Sequence, residues 1–265
     1  MLLLNKSLGM IAIIAVMMVS LSVSAQGTSI YSTGFEGTET PPFTVGNING
    51  QNGWTVFNSS TFDQVENSFF FAGAQAADVV PTGDAAGQSG MYHVDTATGS
   101  PLIDLNAELY IASSGTESTD WQFAALGNFA LSQFIGGINL APAAGSTDTI
   151  NAIAAGDPVV GSFTLNTWHN VDLLMNFAAQ TYTISLDGTV LASNLAFCGD
   201  GGACLGENVP EGTFTSFFDV FASVGENDIG FMDNVSLSSV ATPEPATFGL
   251  AGAALLAGAF LRRRR

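Results

Sequence analysis

Polar and apolar residues alternate with a period of two along much of this chain. Thr181-Tyr182-Thr183-Ile184-Ser185-Leu186 alternates without a break, Asp187-Gly188 supplies a two-residue turn, and Thr189-Val190-Leu191-Ala192 returns, so the stretch predicts a β-hairpin. Upstream, His169, Val171, Leu173 and Met175 share one parity while Asn170, Asp172 and Leu174 share the other, the pattern of a strand with one buried face. Near the end of the periodic region, Ile229, Phe231, Asp233, Val235 and Leu237 share a face opposite Met232, Asn234 and Ser236, which aims the Asp233 carboxyl at the core or its edge. Further strands are expected around residues 30–35, 54–58, 91–95, 105–112, 121–126, 158–165 and 213–222. Between residues 138 and 157 Ala, Gly, Asn and Thr dominate, predicting a long surface loop with at most one weak strand near 149–153. Short strands between Gly- and Asn-rich turns predict an all-β sandwich.

Both ends leave this pattern. Lys6 precedes a nearly uninterrupted apolar run over residues 8–23, and Val23-Ser24-Ala25 offers small residues to signal peptidase, so cleavage is expected after Ala25. At the other end Pro243-Glu244-Pro245 is followed by an uncharged run over 246–261 and then by Arg262, Arg263, Arg264 and Arg265. Sixteen residues rise about 24 Å as a helix, slightly short of a hydrocarbon core of roughly 30 Å. The arginines would snorkel to headgroups and face the cytoplasm, leaving everything before Pro243 outside the inner membrane. A permanent anchor would usually be longer and richer in Leu, Ile and Val than this Ala/Gly run. Setting both segments aside leaves 217 residues, 26–242, for one sizeable exported domain.

Charge narrows what that domain can do. Lys6 and the four terminal arginines are the chain's entire stock of Lys and Arg, so residues 26–242 hold none, against 22 of the 23 Asp and Glu. Nucleic acid binding by phosphate neutralisation is excluded, and anionic lipid surfaces would repel the domain. No Lys or Arg can pair a buried carboxylate, which must find backbone donors, hydroxyls, amides, a proton or a bound cation. For most of the acids a solvated surface that keeps the protein soluble is the simpler reading.

Few residues suggest chemistry. Cys198 and Cys204 bracket five residues of an exported chain, an even count in an oxidising compartment, and are expected to form a disulfide. His93 and His169 are the only histidines, and neither lies in a nucleophile motif; Gly-x-Ser-x-Gly, His-Glu-x-x-His and phosphate loops are absent, and no catalytic residue is assigned. Glycoside hydrolysis would need paired carboxylates, and no Glu-x-Asp-x-x-Glu strand occurs. Trp54, Trp121, Tyr92 and Tyr110 could form a sugar-stacking platform, although aromatics at strand positions of a sandwich are more often core.

Two resemblances add to this reading. The order Pro243-Glu244-Pro245, apolar helix, Arg262 to Arg265 resembles the PEP-CTERM sorting signal of Gram-negative bacteria, which implies transient inner-membrane anchoring and processing by an exosortase-type membrane protease. Gly34-Phe35-Glu36, Asn49-Gly50-Gln51-Asn52-Gly53-Trp54, Trp168-His169 and Phe231-Met232-Asp233-Asn234-Val235 resemble, in order, the jelly-roll sandwiches of laminin-G-like, concanavalin-like and carbohydrate-binding domains. That resemblance implies a structural calcium held by Glu36 and Asp233, with other oxygens completing a shell of 6–8. The alternative is an Asp233-Asn234 pair hydrogen-bonded to backbone at a strand edge. The expectation is a jelly-roll β-sandwich between a signal peptide and a hydrophobic C-terminal helix. Three functions follow in order: an exported, non-enzymatic cell-surface or matrix protein associated with exopolysaccharide; a carbohydrate-binding module with calcium; and a concanavalin-like glycan hydrolase.

Overall fold

The alternating segments assemble into two sheets, paired antiparallel throughout. The structure, a computed structural model, describes residues 27–56, 62–81, 88–96, 100–113, 119–128, 133–142, 147–198, 204, 209, 213–221 and 228–240. The signal segment with Ala25 and the sorting residues Pro243, Glu244, Pro245 and Arg262 to Arg265 lie outside them. Among the described residues there are no helices, and Thr28–Val240 form one compact unit.

One sheet has nine strands, in the order β14 (Thr189–Ala196), β13 (Thr181–Leu186), β12 (His169–Asn176), β7 (Leu102–Ala112), β16 (Ile229–Ser239), β5 (Ala76–Val79), β4 (Gln64–Glu66) and β2 (Gly46–Asn47), with β1 (Thr28–Thr33) beside the second half of β16. The other has seven, in the order β11 (Val159–Thr164), β10 (Thr147–Ala152), β9 (Gln133–Pro142), β8 (Asp120–Asn128), β15 (Thr213–Phe221), β6 (Gln88–Thr96) and β3 (Trp54–Val56). The predicted hairpin is β13 and β14 around Asp187-Gly188, with Asp187 at φ 50° and Gly188 at 73°, the left-handed values such a turn demands.

Alternation becomes a core because each sheet buries one face against the other. Ile103, Leu105, Ala107, Leu109 and Ile111 of β7 and Val171, Leu173 and Met175 of β12 meet Trp121 and Phe123 of β8 and Trp54 of β3 in one cluster. Trp54 and Trp121 are 1% and 0% exposed, so they are core and not a sugar platform.

Two expectations are corrected. Residues 138–142 and 147–152 are strand and not loop: β10 covers the weak strand expected near 149–153, and β9 pairs with it in register, with Asp148 opposite Pro142 and Ala152 opposite Ile138. The small residues that hid the alternation are needed for packing, since a Cβ on Gly136 would stand 2.6 Å from the ring of Tyr182, which reaches across from the other sheet. The parity of β16 also breaks. Asn234 takes a left-handed φ of 48° and the pairing with β7 shifts between Asp233 and Ser236. Met232 therefore joins the core together with Val235 and Leu237, while Phe231 stands on the outer face in contact with Phe69 and Tyr110.

Candidate functional site

Asp233 is buried, as expected, but its carboxylate faces a loop and not the core. Oδ2 accepts hydrogen bonds from the backbone N–H of Phe71 and of Ala72, both at 3.0 Å, and Oδ1 accepts one from Asn234 at 2.7 Å. Glu36 reaches the same loop, its Oε1 accepting from the N–H of Ala74 at 2.8 Å and of Gln75 at 3.3 Å. The close approach requires Gly73, at φ 74°, where a Cβ would fall on Glu36 Oε1. Burial pushes the Asp233 carboxyl up to about 6 although the three amides pull it down. The two residues assigned to calcium thus work together, as a clamp on residues 71–75. Their donors are amides, and among the described residues no group of three His, Cys, Asp or Glu side chains gathers to hold a metal. Two carboxylates with five amide bonds do not by themselves make a calcium shell. Replacing calcium by EDTA is accordingly expected to move the thermal midpoint by less than about 2 °C, and a larger drop would restore the ion to this site.

Other buried acids are satisfied only in part, with Asp95 Oδ2, Asp104 Oδ1 and Asp228 Oδ1 buried and without a hydrogen-bond partner. Asp63, fully buried, accepts from Ser89 Oγ at 2.8 Å and from the N–H of Gly90 at 3.1 Å. Asp228 accepts from the hydroxyl of Thr119. Asp104 and Asp172 lie against each other on the outer face of the nine-stranded sheet, where burial and the Asp172 charge push Asp104 up to about 7. Carboxyls in direct contact lack the separation of about 5–10 Å that glycoside hydrolysis uses.

Each histidine lies beside a carboxylate. His169 Nδ1 is 2.7 Å from Asp187 Oδ2 and Nε2 is 3.1 Å from Thr164 O, with the ring packed on Phe163. His93 Nδ1 is 2.9 Å from Asp95 Oδ1 and Nε2 is 3.2 Å from Asn52 O, with the ring stacked on Tyr31 at 4.0 Å. Each imidazole thus has an oxygen atom beside each of its ring nitrogens. Neither faces a nucleophile.

A row of polar side chains that the sequence reading missed crosses the outer face of the seven-stranded sheet. Gln122 of β8 stands opposite Asn139 of β9, which stands opposite Asn151 of β10. Asn139 Oδ1 is buried and has no hydrogen-bond partner. Leaving such an oxygen unpaired costs about 1–3 kcal/mol, a condition it shares with Gln75 Oε1, Asp95 Oδ2, Asp104 Oδ1 and Asp228 Oδ1. Beside the row, Ala124 and Leu126 pack with Ile153, Tyr92, Phe134, Cys198 and Cys204. The expected Cys198–Cys204 disulfide is formed, and Cys198 N–H donates to Phe134 O at 3.0 Å, which fixes that end of the bridge against the same face.

A second cluster outside the core joins Phe69, Phe71, Tyr110, Trp168 and Phe231 on the nine-stranded sheet. Of the aromatics proposed from sequence, Tyr110 belongs here and Tyr92 lies on the opposite sheet's outer face, so they do not form one platform.

Comparison with known proteins agrees with both resemblances. Residues 241–265 match the family model of the PEP-CTERM protein-sorting motif. The motif implies export and transient membrane anchoring in a Gram-negative bacterium, with recognition by an exosortase-type membrane enzyme. No curated protein matches the chain. Among solved structures, the chain is similar to cellulose induced protein Cip1, at TM-score 0.52 and 14% identity over 79% of this chain and 97% of that one. It is similar to the carbohydrate recognition domain of Emp46p at TM-score 0.52 and 10% identity, covering 82% of this chain and 100% of that one. An endo-1,3-beta-glucanase from Streptomyces sioyaensis follows at TM-score 0.51 and 13% identity, covering 82% and 98%. At these identities the likeness shows the fold, a jelly-roll sandwich shared by lectin-like and glucanase domains.

Proposed function

We propose that this chain is an exported, non-catalytic cell-surface or matrix protein that binds extracellular polysaccharide across the outer face of its seven-stranded sheet. The observation that carries the reading is the unpartnered Asn139 Oδ1 in line with Gln122 and Asn151. Side-chain amides offer a donor and an acceptor side by side, which suits vicinal hydroxyls, and a row of them across adjacent antiparallel strands follows an extended chain of sugars. The sorting motif supports the setting, because it brings the domain to the side of the membrane where such polymers lie. The contact of Asp104 with Asp172, and histidines that face only oxygen acceptors, support a binding role over hydrolysis.

The test is retention of the full chain on immobilised polysaccharides. Asn139→Ala is expected to weaken retention at least tenfold without lowering the thermal midpoint, since it removes an oxygen that has no partner in the folded chain. Equal retention of the variant and the parent would remove the amide row from the binding site. Release of reducing ends during incubation would overturn the non-catalytic part.

A further inference from the structure

We propose a second glycan site on the opposite side of the sandwich, a stacking platform for an uncharged sugar chain formed by Phe69, Phe71, Tyr110 and Trp168. Phe69 and Trp168 lie nearly parallel, 11° apart at 5.6 Å between centroids, and Tyr110 stands 4.6 Å from Phe69 and 5.4 Å from Trp168. Phe71 closes against Trp168 at 5.7 Å. These rings come from β7, from the residue preceding β12 and from the loop after β4, and none is part of the buried core. A cluster whose task was only to seat the loop would be covered by it, yet Phe71 is 47% exposed and its neighbour Phe70 38%.

The loop that carries the rings is fixed through its backbone. Four amide bonds to Asp233 and Glu36 hold residues 71–75, so the exposed Phe71 ring is displayed from a rigid frame. Polar groups continue the strip along the same strands. Glu108 lies two residues before Tyr110, Asn170 two after Trp168, and Asn170 Nδ2 donates to Glu108 Oε1 and Asn106 Oδ1, both at 3.0 Å.

The electronic character of the surface selects the occupant. Ring faces carry negative potential and attract the C–H face of a sugar, while Glu108 accepts hydroxyl protons. No Lys or Arg exists in residues 26–242 to receive a phosphate, sulfate or uronate, and Glu108 and Asp187 add repulsion beside the rings. A hydroxyl-rich, uncharged polymer is complementary to such a surface. The site shares no residue with the amide row, so each can fail alone.

The chain's own fluorescence tests it, because Trp168 is the only one of the three tryptophans that is not buried. Titration of the full chain with laminarin or cellohexaose in EDTA is expected to shift tryptophan emission saturably, and alginate is not. Phe71→Ala should weaken this at least tenfold, while Asn139→Ala leaves it unchanged. The proposal is overturned if neither glucan moves the emission, if alginate moves it equally, or if Phe71→Ala has no effect. It is also overturned if sedimentation shows self-association that Phe71→Ala abolishes, since the face would then bind a second copy. Loss of the emission response in Asn139→Ala alone would mean that only the amide row binds.

Discussion

Lowering the pH from 8 to 5.5 is expected to raise the thermal midpoint of the folded domain by about 5–10 °C. Most proteins lose stability in acid because carboxylates paired with Lys or Arg must be protonated. Residues 26–242 contain no such partner, and the displaced carboxyls are displaced upward. Burial pushes Asp78 and Asp104 up to about 7 and Asp233 to about 6, and it raises Glu108, Asp120 and Asp172 as well. An acid with a raised value in the native state takes up its proton there first. Between about pH 4 and 7 the native chain therefore holds more protons than the unfolded chain, and stability falls as the pH rises through that window. These groups are partly exposed, so solvent screening reduces the combined effect to about 3 kcal/mol. In a domain of this size each kcal/mol moves the midpoint by about 2–4 °C. Circular dichroism melts of the full chain from pH 4.5 to 8.5 give the slope, and a midpoint that is flat or rises with pH would contradict it. Asp104→Asn should raise the midpoint at pH 8 and leave it nearly unchanged at pH 4.5, because the substitution removes the charge that is costly only when present.

How much of this was legible beforehand depended on side-chain bulk and on distance along the chain. The β12 to β14 segment could be read because large apolar residues alternate with polar ones and Asp187-Gly188 marks the turn. β9 and β10 could not, because Gly136 and Gly137 have no side chain to carry a period; their smallness shows its purpose only when Tyr182 and Ala124 are packed against them. The burial of Asp233 was legible, but from a parity that holds only after Asn234. The left-handed Asn234 moves Phe231 outward, and an Asp-Asn pair inside an apolar strand was the available signal for such a bulge. The amide row required knowing that Gln122, Asn139 and Asn151 meet across three strands, which no local pattern contains. The aromatic platform likewise joins Phe69 and Phe71 to Tyr110 and Trp168 from distant segments. What composition did determine was the manner of burying acids: amides, hydroxyls and histidine are their partners, and no Lys or Arg is available to any of them.

The clamp on the aromatic loop can be taken apart by counting acceptor oxygens. Asp233 uses both of its oxygens for three amides, whereas Glu36 receives both of its amides on Oε1 alone. Asp233→Ala strands the N–H groups of Phe71, Ala72 and Asn234 and is expected to cost about 3 kcal/mol at pH 5.5. Asp233→Asn keeps one oxygen for Phe71 and Ala72 and carries no charge to bury, so it should cost about 1 kcal/mol there. The Asn penalty should shrink as the pH rises through 6, where the parent carboxyl becomes the charged and more costly form. Glu36→Gln retains an Oε1 for both amides and should stay within about 0.5 kcal/mol of the parent. Urea unfolding monitored by Trp168 emission measures all three at once, because release of the loop uncovers that ring in the Ala variant before the core opens. An Asp233→Ala variant as stable as Glu36→Gln would mean that the rings hold the loop and the carboxylates do not, and the rigid frame beneath the proposed stacking platform would go with it.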